Sequence, residues 1–390
     1  VDLEHAPRGT DGRVRFTADF SVVRPVNPDR ASHLLLVELP NRGRRRVVDT
    51  LNRSGKEAAA SSDPGDGFLF ERGFTVASIG WQWDVYTDDV LMGLEPPVAD
   101  LSGEPDPGQN VVEIRPNISV STWLLADRIH RPLRAADLDD PNAVLYVKDY
   151  EDGEATVIPR ANWKFARETP NGIEPSDEHI YLESGLLPGK YYQIVYSTKD
   201  APVAGAGLLA LRDVTSFLKH DASTLLPEIG RLGHAIGYGV SQTGRMLRHF
   251  LHLGLNVDEQ GRKVFDGLLP HVAGARMGAF NNRYAQPSNQ SYPAFGHLFP
   301  FNDAELADPD LPMEELLYRL FHEQGVTMET PQALDDRCTC NQERLVETLK
   351  QMPDESLREM TEEDGTLGID CQFCNRHYDV AIEDVTGDTN

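Results

Sequence analysis

All four cysteines of this chain fall in one short stretch, as Cys338-Thr339-Cys340 and Cys371-Gln372-Phe373-Cys374, and none occurs in the first 337 residues. Two close-spaced pairs separated by 30 residues are a strong metal signal. Four thiolates meet the tetrahedral preference of Zn²⁺, and each short loop presents two sulfurs at roughly 2.3 Å from one ion. The surrounding sequence needs such a cross-link. Residues 303–390 hold 23 acidic and 6 basic side chains, against 39 and 31 in residues 1–302, so the tail is both small and self-repelling. Metal binding would supply on the order of 10 kcal/mol that its core lacks. Spacing leaves open whether the site is a permanent structural knuckle or a regulated one. His322 and His377 are chemically capable ligands, but four cysteines already complete the shell.

The whole chain of 390 residues has a formal charge of −25 and is 40% hydrophobic, a soluble, globular composition with room for two or three domains. So negative a surface repels polyphosphate and anionic lipid, which argues against nucleic acid and membrane as partners. No window approaches the ~18–20 consecutive apolar residues of a membrane span. The chain starts at Val1 with no basic, apolar, small-residue leader after it, so a cytoplasmic location is expected.

Residues 303–312, with two prolines and four acidic side chains, read as a linker. Helical spacing follows over residues 314–322, again where Leu345, Val346 and Leu349 share a face, and again over 354–360. Leu367 and Ile369 alternate as a strand toward the second cysteine pair.

Before the linker, short apolar runs alternate with helical patterns, the mark of an α/β layer architecture. Leu34-Leu35-Leu36-Val37, residues 74–79, Gln193-Ile194-Val195-Tyr196 and residues 234–238 read as buried strands. Between the last two, Leu208, Leu211, Val214 and Leu218 recur at helical spacing, which predicts strand, helix, strand. After Tyr238 comes Gly239-Val240-Ser241-Gln242-Thr243-Gly244-Arg245, then an apolar helical face of Met246, Leu247, Phe250 and Leu251. Ser241 is thereby placed on a sharp strand-to-helix turn. That is where a nucleophile elbow holds its hydroxyl, with small neighbours admitting the helix and the helix N-terminus favouring developing negative charge. A serine N-cap without chemistry fits the same pattern.

The wider segment resembles an α/β-hydrolase-domain family of serine esterases whose elbow reads G-x-S-Q-[ST]-G-R. The matching stretches are Leu39-Pro40-Asn41-Arg42-Gly43, Gly80-Trp81-Gln82, residues 192–218, residues 239–250 and Leu269-Pro270-His271-Val272-Ala273-Gly274-Ala275-Arg276. The resemblance implies Ser241 as nucleophile, the backbone N–H of Gln242 as one oxyanion donor, and a second donor at Trp81 or Gln82. In this fold the acid and the histidine follow the serine in sequence. The match stops near Pro300-Phe301, about 60 residues beyond Ser241, and the start of the chain lies inside the family's sequence. Among the residues present, His271 is the candidate base. His249 and His252 lie on the helix leading away from the serine, while Asp258, Glu259 and Asp266 lie toward the opposite sheet edge.

The tail resembles, more closely, the C-terminal redox-switch domain of the bacterial 33 kDa heat-shock chaperonin family. The resemblance is carried by Leu317-Tyr318-Arg319-Leu320-Phe321-His322-Glu323, both cysteine pairs, Glu343-Arg344, Glu362-Glu363-Asp364-Gly365 and Tyr378. It implies that reduced Cys338, Cys340, Cys371 and Cys374 hold zinc. It also implies that oxidation pairs neighbouring cysteines, ejects the metal and unfolds the tail, activating a holdase for unfolded client proteins. The family's N-terminal chaperone domain has no counterpart in this sequence.

The expected fold is therefore α/β: an incomplete α/β-hydrolase sheet with flanking helices over residues 1–302, a linker at 303–312, and a small α+β zinc-binding domain at 313–390. The expected function is a redox-regulated, zinc-binding chaperone-type module on a weak or inactive serine-hydrolase scaffold. An active esterase for a small ester, carrying a regulatory zinc tail, is the alternative. A fusion of gene fragments without integrated function is the third reading.

Overall fold

Residues 34–38 and 75–79 are the two apolar runs with no polar face, and both become central strands of one sheet, covered on both sides. The computed structural model describes residues 1–54, 64–150, 153–274, 276–289, 312, 315, 340–362, 364–371 and 376–386. These fall into two units, one within residues 1–320 and one within 321–390.

In the first unit, β2 (Phe20–Val23), β3 (Leu34–Glu38), β4 (Thr75–Ile79), β15 (His234–Val240) and β16 (Gly267–His271) form a five-stranded sheet in the order β16-β15-β3-β4-β2. The four strands from β16 to β4 are parallel, and β2 closes the far edge antiparallel to β4. Leu35, Val37, Ala77 and Ile79 pack on one side against Leu208 and Leu211 of α3 (Ala206–Ser216) and Met246, Leu247 and Phe250 of α5 (Gln242–His252). Leu36, Val76 and Tyr238 pack on the other side with Val47 of α1 (Val47–Leu51) and Leu69 of α2 (Phe68–Glu71).

Glu38 ends β3 fully inside this unit. Its carboxylate accepts the backbone N–H groups of Arg46 and Val47, the latter at 2.7 Å, and the Ser78 hydroxyl at 3.0 Å. Burial outweighs these bonds and pushes its pKa up to about 7.

The strand read at residues 193–196 exists, as part of β14 (Tyr191–Tyr196), but it is not a neighbour of β15. It lies in a separate antiparallel sheet between β6 (Asn110–Ile114) and β8 (Val144–Lys148). With β7 (Val120–Leu124), β10 (Trp163–Lys164) and β13 (His179–Leu186), this sheet encloses its own core of Val112, Ile114, Leu145, Trp163, Phe165, Ile180 and Ile194. A β-rich segment is thus inserted between β4 and α3, and the expected strand, helix, strand order is realised as β14, α3 and β15, with the two strands in different sheets. The period-two burial along β14 is the physical sign of the difference, because one face of an antiparallel strand is left to the outside.

The second unit is smaller. Asn341 caps α6 (Gln342–Leu349) by accepting the amide of Arg344 at 2.9 Å, and Pro353 leads into α7 (Asp354–Glu359). Then β17 (Thr366–Asp370) and β18 (His377–Ala381) pair antiparallel, followed by the short α8 (Ile382–Val385). Leu349, Leu357, Leu367, Val380 and Val385 make its core. The helical patterns over 345–349 and 354–360 and the alternation at 367–369 are realised, whereas the pattern over 314–322 lies outside the described residues except for Glu315. No helix among the described residues is long and apolar enough to cross a membrane.

Candidate functional site

The turn between β15 and α5 forms because its small residues allow a contact that larger ones would block. A Cβ on Gly239 would meet the backbone of Thr243 at 2.5 Å, and one on Gly244 would meet the carbonyl of His271 at 3.1 Å. The Thr243 hydroxyl closes the turn by accepting the amide of Val240 at 2.8 Å. Ser241, between them, is held at φ 54° and ψ −108°, a region that non-glycine residues rarely occupy. This is the backbone of a nucleophile elbow, with the serine at the carboxyl end of a parallel strand and at the N-terminus of an 11-residue helix.

Strand order decides what surrounds it. On one side β16 ends level with β15, and the Ser241 amide donates to the carbonyl of His271 at 2.9 Å. The backbone of His271 is thus beside the serine, while its side chain is exposed. On the other side lies β3, so the loop that follows β3 is the one that borders the elbow. There the Asn41 side chain donates to the carbonyl of Val240 at 2.8 Å, and Arg42, at φ 52°, donates to the carbonyl of Ser288 at 2.9 Å.

Trp81 and Gln82 follow β4, one strand further out. Trp81 is buried, its indole N–H donating to Pro40 at 2.9 Å, and the Gln82 amide donates to Asp84 at 2.6 Å. The Gln242 side chain is buried and reaches the Pro287 carbonyl, next to Ser288, whose amide donates to Asp84 at 2.8 Å. Burial raises the pKa of Asp84. Asn41, Arg42 and Asp84 escaped the sequence reading. The signal that would have found the first two is the pairing of β15 with β3, since the loop after that neighbouring strand must border the elbow.

The remaining histidines and acids take structural roles. His249 packs near Phe280, with ring centroids 6.0 Å apart, and burial first, then His252, pushes its pKa down to about 4. Asp258 accepts the Arg262 guanidinium at 2.7 Å, and Asp266 accepts the Lys219 ammonium at 2.7 Å and the Ala235 amide at 2.9 Å. Ala235 is the second residue of β15, so Asp266 is at the end of the sheet opposite Ser241.

In the second unit Cys371 follows β17 at the connected end of the β17–β18 hairpin, buried, with its amide donating to the carbonyl of Arg376 at 2.9 Å. Cys340 leads into α6 and is half-buried. The Tyr378 hydroxyl donates at 3.1 Å to both the Sγ and the carbonyl of Cys340. Cys338 and Cys374 lie outside the described residues. A hydroxyl donating to a cysteine sulfur is the kind of outer contact that orients a metal ligand, so the two described cysteines fit a soft-metal donor set.

Two family models match the chain. Residues 265–381 match that of the Hsp33 protein, and residues 170–315 match that of an alpha/beta hydrolase domain, so the matches overlap. The chain therefore carries an Hsp33-type region toward its C-terminus and a hydrolase-type region before it. Among curated proteins, the 33 kDa chaperonin of Cronobacter sakazakii is 38% identical over 95 residues, covering 24% of this chain and 32% of that protein. The 33 kDa chaperonin of Shigella flexneri serotype 5b is 43% identical over 133 residues, 34% of this chain and 41% of that protein. That of Escherichia coli K12 is 43% identical over 133 residues, 34% of this chain and 40% of that protein. The chain thus spans between a third and two fifths of the relatives it matches. No solved structure matches it.

Proposed function

We propose that the C-terminal unit is a chaperone-type module in which Cys338, Cys340, Cys371 and Cys374 hold one Zn²⁺ and act as a thiol switch. Its partners would be unfolded cytoplasmic client proteins. The observation that carries the reading is the Tyr378 hydroxyl donating to the Sγ of Cys340, a ligand-orienting contact on the hairpin whose connecting segment starts at Cys371. Bound, the ion supplies a cross-link and two positive charges to a strongly acidic tail. Oxidation removes its ligands. In each close-spaced pair two thiolates give two electrons to one hydrogen peroxide, an S–S bond forms, and with two protons the oxidant leaves as two waters. Two peroxides thus convert four thiolates into two disulfides. The ring closed by Cys338-Thr339-Cys340 is very small, and such strain favours ready reduction.

The N-terminal unit is read as a serine-hydrolase scaffold of low activity. Ser241 has the strained elbow geometry, but a serine hydroxyl without an acid–base partner is a weak nucleophile, and loss of triad partners removes several powers of ten in rate. The specific observation favouring an active esterase is that strain itself, which a plain N-cap does not need.

Metal analysis tests the leading reading. Reduced, chelator-washed protein is expected to retain about one zinc per chain with its thiols protected. Full retention after Cys371→Ser with Cys374→Ser would rule the site out.

A further inference from the structure

Beside the elbow is a cation that no described residue pairs. Arg245 lies in the first turn of α5, its amide donating to the carbonyl of Ser241 at 3.0 Å. The Arg245 guanidinium is half-buried and makes no hydrogen bond or ion pair among the described residues. Withdrawing a charge from water without a partner is costly, and folds rarely retain it without use. Burial lowers its pKa, and the nearby charges of Arg42 and Arg276 lower it further.

The neighbouring loop adds to the field rather than cancelling it. Asn41 pins that loop to Val240, and the Arg42 side chain is only 13% exposed, 3.5 Å from Asp127. Burial raises the pKa of nearby Asp84, while the Ser288 amide and the Gln82 side chain donate to its carboxylate. On a chain of net charge −25, Arg245, Arg42 and Arg276 are near enough for their positive charges to act on one another. A guanidinium with its fork of N–H donors open matches a carboxylate in shape and charge.

We infer that Arg245, flanked by Arg42 and Arg276, binds the carboxylate of an anionic ligand at the mouth of the Ser241 turn. The substrate class this selects is an ester that carries a second, free carboxylate. The ester half rests on the hydrolase reading of Ser241; the anion contact does not.

Glutarate is the probe, with glutaramide as its uncharged counterpart, each titrated calorimetrically into the full chain at low ionic strength. Glutarate is expected to give a saturable heat that weakens with added salt, and glutaramide none. Arg245→Gln should weaken glutarate binding by at least about tenfold, Arg245→Lys should retain part of it, and the surface change Arg167→Gln should leave it unchanged. Absence of saturable heat, equal binding of glutaramide, or undiminished affinity in Arg245→Gln each overturns the inference. If Arg245→Gln melts early, the comparison of glutarate with glutaramide on the native chain still decides. The hydrolase reading fails separately. Glutarate binding without any reaction of a neutral fluorophosphonate at Ser241 leaves the anion site standing and removes the ester, whereas reaction without glutarate binding does the reverse.

Discussion

The amide of Ser241 donates to the carbonyl of His271 at 2.9 Å, so the serine's strand and its neighbour β16 end at the same level of the sheet. This contact is backbone to backbone. It brings His271 to the carboxyl edge where a base would belong while leaving its exposed imidazole without a role in the turn. Ser241 is accordingly expected to react slowly with a fluorophosphonate and to turn over short-chain nitrophenyl esters near background, with Ser241→Ala abolishing the labelling. Robust hydrolysis lost in both Ser241→Ala and His271→Ala would instead identify a working pair.

Gly239 admits α5 against the end of β15. Adding a methyl there forces it to 2.5 Å from the Thr243 backbone, so Gly239→Ala should cost the first unit about 1–3 kcal/mol. All four tryptophans, Trp81, Trp83, Trp123 and Trp163, lie in that unit, so urea unfolding followed by their fluorescence reports it selectively. An unchanged midpoint would mean that the turn opens without penalty.

Glu38 makes the first unit's stability depend on pH. Its folded pKa, about 7, is above the ordinary 4.5, so the folded state binds the proton more tightly than the unfolded state. The resulting stabilisation is complete below about pH 4.5 and is lost as the pH rises through about 7, a change on the order of 3 kcal/mol. The difference in stability between wild type and Glu38→Gln should follow that curve. A difference flat over this window would show that the carboxyl titrates normally.

The elements legible in the sequence were those whose burial is continuous or strictly periodic. Residues 34–38 and 75–79 had no polar face to conceal, Gly239 and Gly244 marked the turn, and the alternation at Leu367 and Ile369 marked the hairpin. Position within the sheet was not legible. Nothing local to residues 193–196 says that they join a second, antiparallel sheet, and nothing local to Leu39-Pro40-Asn41 says that this loop borders Ser241. Both follow from pairings between residues far apart in sequence, Tyr192 with Ile114 for the first and Leu36 with Ile236 for the second. That no described residue pairs with Arg245 likewise depends on which side chains the fold brings near it.

Tyr378 is expected to hold Cys340 through its hydroxyl. Tyr378→Phe deletes that donor and keeps the ring, so zinc affinity should fall by about tenfold or more while the β17–β18 hairpin persists. Competition against a chelator of known affinity measures it. Equal affinity would make the contact incidental.

The central claim is that the cysteine module is a switch and not a fixed knuckle. It is tested most directly by treating the reduced, zinc-loaded chain with hydrogen peroxide under mildly unfolding conditions, while following zinc release, disulfide mapping and proteolysis together. The account predicts stoichiometric release, disulfides Cys338–Cys340 and Cys371–Cys374, protease sensitivity confined to residues 303–390, and reversal by thiol reductant with zinc. Zinc that stays bound in a protease-resistant tail, at oxidant levels that exhaust the thiols of an unfolded control, would contradict it.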